Sequence, residues 1–242
     1  MANWFLGRAL AEEAEAENAP WSFLGEGAAF WVTVAVLLVV GVAVYLVTRK
    51  KSSNKKSFWT AKTMAVGAMC MALSSVLSLI KLWSMPMGGS VTPASMLPLL
   101  LFAYCYGVGP GMVLGALYGV MQFVLDGGAW AALGLIPNLL DYPIAFAMTG
   151  LAGCFRGSKA KMAAGFVLAC FGRFASSFLS GVFFYASSAP EGMNPVWYSL
   201  TYNGSYMLVE CIICIALGLL VGERLAKELK KVASAKQLKK VA

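Results

Sequence analysis

Three ionisable side chains lie inside long apolar runs of the chain: Asp141, Arg173 and Glu210. An ionisable group in hydrocarbon costs roughly 3 kcal/mol or more, so each marks a candidate functional position. Asp141 sits in IPNLLDYPIAF, with Tyr142 beside it and Pro143 removing a backbone donor. A carboxylate next to an aromatic ring suits a cationic ligand, because the acid balances the charge and the ring adds about 0.5 to 2 kcal/mol of cation–π attraction. The structural alternative for Asp141 is an ion pair with Arg173. Further on, Asn203, Tyr206 and Glu210 recur at i, i+3 and i+7, one face of a helix. Tyr198, Tyr202 and Tyr206 form an overlapping stripe, so amide, phenol and carboxylate share a surface able to donate to and accept from a heteroaromatic ring. Arg173, Ser177 and Ser180 align at i, i+4 and i+7 on the preceding helix as a second polar seam. Serine in a membrane helix commonly bonds its own backbone, which gives Ser176 and Ser180 little weight. Glu210 reads equally as an internal partner of Arg173 and as a ligand group.

The elements that must hold these residues are membrane helices. Of 242 residues 60% are hydrophobic and 12% charged, about half the charged fraction of a soluble domain. The clearest apolar run, 28–48, is long enough to span a bilayer and follows an acidic segment, 1–27, so it reads as a retained helix and not a secretory signal. Further runs fall at about 61–82, 95–106, 110–126, 135–155, 162–185 and 199–221. Between the first helix and this body lies a basic linker, 49–59, and beyond the body (60–222) a basic tail, 223–242. Alternation puts linker, tail and the Arg156–Lys161 turn on one side with most of the 19 Lys and Arg. The positive-inside rule makes that side cytoplasmic, with the N-terminus outside and the C-terminus inside. The net charge of +8 is thereby explained by topology, and no nucleic-acid partner is called for.

The same alternation leaves three long loops outside, at 81–95, 125–138 and 185–197. They carry Trp83, Trp130 and Trp197, which serve either as interfacial belt residues or as aromatic faces for a ligand. Two small-residue stripes describe packing. Gly111, Gly115 and Gly119 read as an internal helix contact; Ala61, Ala65, Ala68 and Ala72 read as either internal packing or a subunit interface. The six cysteines are dispersed through apolar runs and read as small buried hydrophobes. The absence of histidine excludes histidine-based catalysis and HExxH metal sites, and no GxxxxGK[ST] loop is present, so any ATP is used by a partner.

Four segments carry a family resemblance: GGSVTPASMLP at 88–98, LLDYPIAF at 139–146, GRFASSFLSGVFFY at 172–185 and PEGMNPVWYSLTYNGSYML at 190–208. Over roughly residues 60 to 225 the chain resembles the thiamine-binding membrane subunits (S-components) of energy-coupling factor (ECF) transporters. The resemblance implies an all-α integral membrane protein, a six-helix S-component bundle here preceded by one additional N-terminal helix. It implies thiamine as ligand, captured outside a bacterial cell, with a coupling membrane subunit and two cytoplasmic ATPases as partners and no cofactor. Residue by residue, the family's ligand-facing acid falls on Asp141 and its neighbouring tyrosine on Tyr142. The pyrimidine-binding tyrosine and asparagine fall on Tyr198 and Asn203. Ser177 stands where the family commonly has histidine, Tyr185 where tryptophan or phenylalanine is common, and Asp141 is one methylene shorter than the glutamate of some relatives. Trp130 is a candidate to replace the missing aromatic surface. The alanine stripe is similar to the surface by which S-components dock their coupling subunit.

The expectation is a thiamine site in which Asp141 balances the thiazolium, Tyr142, Tyr185 and Trp130 stack on the rings, and Tyr198 and Asn203 bond the aminopyrimidine. Two alternatives stand beside it: an S-component for another vitamin or a thiamine precursor, and an ion-coupled transporter acting alone with Asp141, Arg173 and Glu210 as a relay. An enzyme is disfavoured, because the outer loops hold no nucleophile-and-base pair.

Overall fold

The computed structural model describes residues 60–85, 89–126, 135–190 and 192–234. The expected helix at 28–48, the linker and Trp130 lie outside the described residues. Among those described there are two compact units, one formed by Gly181–Ser199 and the other by the remaining residues.

In the larger unit, helix α1 (Ala61–Leu79) starts at Thr60, whose side chain accepts from the Thr63 amide and so satisfies one of the free first-turn donors. Its buried stripe is Thr63, Val66, Gly67, Cys70, Ser74 and Ser78, while Met64, Met69, Leu73 and Val76 are exposed. Apolar side chains on the outside are what a lipid-facing surface requires. The loop that follows contains a short antiparallel hairpin, β1 (Trp83–Ser84) with β2 (Ser90–Val91), Trp83 opposite Val91. Strands of two residues have no readable period, and the sequence gives only a loop here.

Helix α2 (Leu97–Tyr106) has only ten residues and is buried on nearly every side; Leu100, Phe102 and Ala103 are fully enclosed. That is why its sequence is apolar all round, with Pro98 tolerated in the first turn. It ends at Gly107, whose φ of +111° is a conformation that side-chain-bearing residues rarely adopt. Helix α3 (Val108–Leu125) buries Gly111, Leu114, Gly115, Tyr118 and Gly119. The glycines lie against backbone: Gly111 faces Gly150, Gly115 the Phe146 carbonyl and Gly119 the Tyr142 carbonyl. The stripe is internal packing, with main chains in close approach.

The segment expected to be one helix over 135–155 is instead broken. It runs as α4 (Leu135–Leu139), a π turn (Leu140–Ile144), α5 (Ala145–Ala147) and a 3₁₀ stretch (Met148–Cys154). Pro143 lies inside the π turn, lacks the donor an α-helix needs there, and so accounts for the local widening. Helix α6 (Lys159–Phe184) is the longest continuous α-helix among the described residues. Helix α7 (Pro195–Leu217) passes through a second π turn (Gly218–Gly222) into the basic amphipathic α8 (Glu223–Ser234). There α8 meets the end of α2: the Tyr106 hydroxyl donates to the Leu229 carbonyl over 3.0 Å, and Ala226 is buried.

By length and composition four described helices are able to cross a membrane: Ala61–Leu79, Val108–Leu125, Lys159–Phe184 and Pro195–Leu229. The expected all-α membrane fold is present, with α2 and the broken fourth segment as shorter members.

Candidate functional site

The acid that sequence singled out sits on the irregular turn. Asp141 and Tyr142 both lie in the π turn, where backbone bonding is re-routed and side chains are re-aimed. Two serines of α6 hold that turn. Ser176 Oγ donates to the Leu140 carbonyl over 2.6 Å and Ser180 Oγ to Asp141 Oδ2 over 2.7 Å. Their spacing of four residues puts both hydroxyls on one face of α6, so the two bonds form a brace from one helix onto the other. The reading of these serines as bonded to their own helix is corrected by the position of the π turn beside them.

Arg173 does not pair with Asp141 in this structure. Its Nη1 lies 3.0 Å from Glu210 Oε2, and both side chains are largely buried. The guanidinium also lies 4.4 Å over the Phe146 ring and donates to Met96 Sδ. On its other oxygen Glu210 accepts from Thr92 (2.7 Å) and Ser95 (3.0 Å). Glu210 is thus an internal partner, and its carboxylate ties the segment after β2 to α6 and α7. Glu210 is bonded on both oxygens, while Arg173 bonds through Nη1 and its Nε is buried without a partner among the described residues; either charge left alone there would be costly.

Asn203 is buried on α7. Its Oδ1 accepts from the Tyr206 hydroxyl over 3.1 Å, and its Nδ2 donates to the Ser177 carbonyl over 3.4 Å. Tyr206 is itself confined by the hairpin: a Cβ on Gly89 would stand 2.8 Å from its ring, and Gly89 adopts φ +75°. Ser177 is buried too, and it meets Asn203 through its carbonyl.

Tyr142 points its hydroxyl at a residue the sequence reading passed over. It donates to Asp126 Oδ2 over 3.2 Å, and its ring meets Phe123 edge-on at 5.3 Å. Gln122 Nε2 donates to the other oxygen of Asp126, and Lys81 stands 3.8 Å away. The signal for Asp126 was weak: an acid at the end of an apolar run, before a glycine pair, reads as a helix stop.

In the smaller unit Tyr185 and Tyr198 are both half-buried. Tyr185 closes α6, its carbonyl accepting from the Ser188 amide. Tyr198 lies in the first turn of α7, which Asn194 caps by accepting from the Val196 amide, with Pro195 at the helix start. Trp83 and Trp197 are each 62% exposed, as interfacial tryptophans are. Ala61, Ala65, Ala68 and Ala72 are all exposed on α1.

A family model described as thiamine transporter protein (Thia_YuaJ) matches residues 64–229, more than half of the chain. The chain belongs to the thiamine transporter family. Membership makes it a multi-pass membrane transport protein and not an enzyme. Thiamine transporter ThiT of Bacillus subtilis (strain 168) is 41% identical over 145 residues, 54% of this chain and 73% of the relative. Thiamine transporter ThiT of Lacticaseibacillus paracasei is 29% identical over 136 residues, 50% of this chain and 68% of the relative. A solved structure of ThiT from Listeria monocytogenes superposes with a TM-score of 0.60 at 18% identity, covering 69% of this chain and 96% of that one, and shares the fold. The matched residues 64–229 contain Asp141, Arg173, Asn203 and Glu210; the apolar run at 28–48 precedes them.

Proposed function

We propose that this thiamine transporter family member binds thiamine through Asp141 and Asn203 and delivers it as the S-component of an ECF-type importer. The observation that carries the ligand site is the carboxylate of Asp141 in a proline-containing π turn, braced by Ser176 and Ser180. A fixed negative charge favours a permanently cationic ring such as thiazolium over a neutral one. Asn203 offers an amide of defined orientation, the group that pairs with the donor and acceptor edge of an aminopyrimidine. Tyr185, Tyr198 and Trp130 enter as stacking and bonding groups on family resemblance alone. Tyr142, held by Asp126, is assigned an aromatic face toward the ligand on the same ground.

The exposed alanines of α1 suit a close helix contact with the coupling subunit, because small residues let backbones approach. Two ATPase subunits would supply the energy, the N-terminus would lie outside and the C-terminus in the cytoplasm of a bacterium. The body is assigned to 60–222, after an acidic segment (1–27), an extra helix (28–48) and a basic linker (49–59), and before a basic tail (223–242). Titration of the purified protein with thiamine, followed by tryptophan fluorescence, tests the reading. Saturable quenching not competed by riboflavin or biotin is the expected result. A response to the pyrimidine fragment but not to thiamine would move the substrate to a precursor.

A further inference from the structure

A carboxylate that neutralises a ligand is effective only if its rotamer is fixed before the ligand arrives, because a mobile acid must be ordered on binding. Asp141 has one torsion fewer than a glutamate, yet it stands on the most irregular stretch of its segment, where the π turn relaxes the backbone. A contact from a neighbouring helix contributes to its order: the Ser180 hydroxyl, fully buried and 2.7 Å from Oδ2. Ser176, one turn earlier on α6, fixes the Leu140 carbonyl at 2.6 Å and so the backbone that carries Asp141. Hydrogen bonds to an ionised acceptor are about twice as strong as neutral ones, so Ser180 both orients the carboxylate and stabilises its charge.

We infer that Ser180 is a positioning residue for cation recognition: it acts on thiamine through Asp141, and its effect is confined to ligands that carry the positive ring. The inference rests on the reading of Asp141 as the thiazolium counter-charge. It separates two halves of the ligand, since the aminopyrimidine is assigned to a different side chain and does not sense the orientation of Asp141.

The test measures dissociation constants for thiamine and for the neutral hydroxymethyl-aminopyrimidine fragment in detergent, using the full chain and four variants. Ser180→Ala is expected to weaken thiamine about tenfold, the scale of one charge-assisted hydrogen bond. The fragment should bind as it does to the unaltered protein. Ser180→Thr keeps the hydroxyl and should recover most of the affinity. In an Asp141→Asn background, adding Ser180→Ala should change thiamine binding little further. Equal weakening of thiamine and fragment by Ser180→Ala would make the serine a general structural residue and overturn the inference. So would unchanged thiamine affinity in Ser180→Ala alongside a clear loss in Asp141→Asn. If Asp141→Asn itself binds thiamine normally, the assignment of the counter-charge fails first, and the two failures are thereby told apart.

Discussion

Arg173 and Glu210 face each other across 3.0 Å in the interior, from α6 and α7. The pair gives two of the three intramembrane charges an internal partner, and the proposal accordingly places the ligand's counter-charge on Asp141. It also speaks against a relay running through all three, since Glu210 is occupied by Arg173, Thr92 and Ser95.

Breaking that pair on one side should be costly. Glu210→Ala leaves a buried guanidinium without its counter-charge, for which about 3 to 5 kcal/mol of destabilisation is expected. Thermal unfolding in detergent should show a large fall in Tm. The double variant Arg173→Met with Glu210→Ala should regain much of it, because no lone charge remains buried.

Tyr206 fixes the amide of Asn203. Tyr206→Phe keeps the ring that Gly89 rests on and removes only the hydroxyl. A loss of about 1 kcal/mol in thiamine binding, roughly fivefold, is expected from one neutral hydrogen bond. Equilibrium binding read together with an unchanged Tm would assign the loss to the amide and not to the fold.

Glycine positions on α3 should differ sharply. A Cβ at Gly119 would stand 2.5 Å from the Tyr142 carbonyl and 2.7 Å from Pro143 Cα, and backbone there cannot swing aside. Gly119→Ala should therefore displace the π turn and weaken thiamine binding about tenfold or more, with a lower Tm. At Gly109 nothing lies within 4 Å, so Gly109→Ala should leave both quantities essentially unchanged.

Much of this arrangement is written in residue types. The intramembrane charges, the glycine stripe and the polar faces of α6 and α7 follow from spacing, because helical period alone decides which side chains share a face. Which faces meet is a different matter. Ser176 and Ser180 looked like backbone-bonded helix serines, and only the nearness of the π turn turns them outward to Leu140 and Asp141. Pro143 announces a weakened helix in sequence, but whether the chain kinks, frays or widens depends on the glycines of α3 packed behind it. Asp126 was overlooked for a related reason: its value comes from Tyr142, sixteen residues later, which no local pattern connects to it.

The central claim is that Asp141 balances a cationic ligand. Its most direct test is the thiamine dissociation constant of Asp141→Asn beside that of the unaltered protein, measured by fluorescence quenching at one pH and salt concentration. Asparagine keeps the shape and removes the charge. The account predicts thiamine binding weakened at least about tenfold, on the order of one buried charge interaction, with the neutral pyrimidine fragment unaffected. Thiamine bound as tightly by the variant as by the unaltered protein would contradict it.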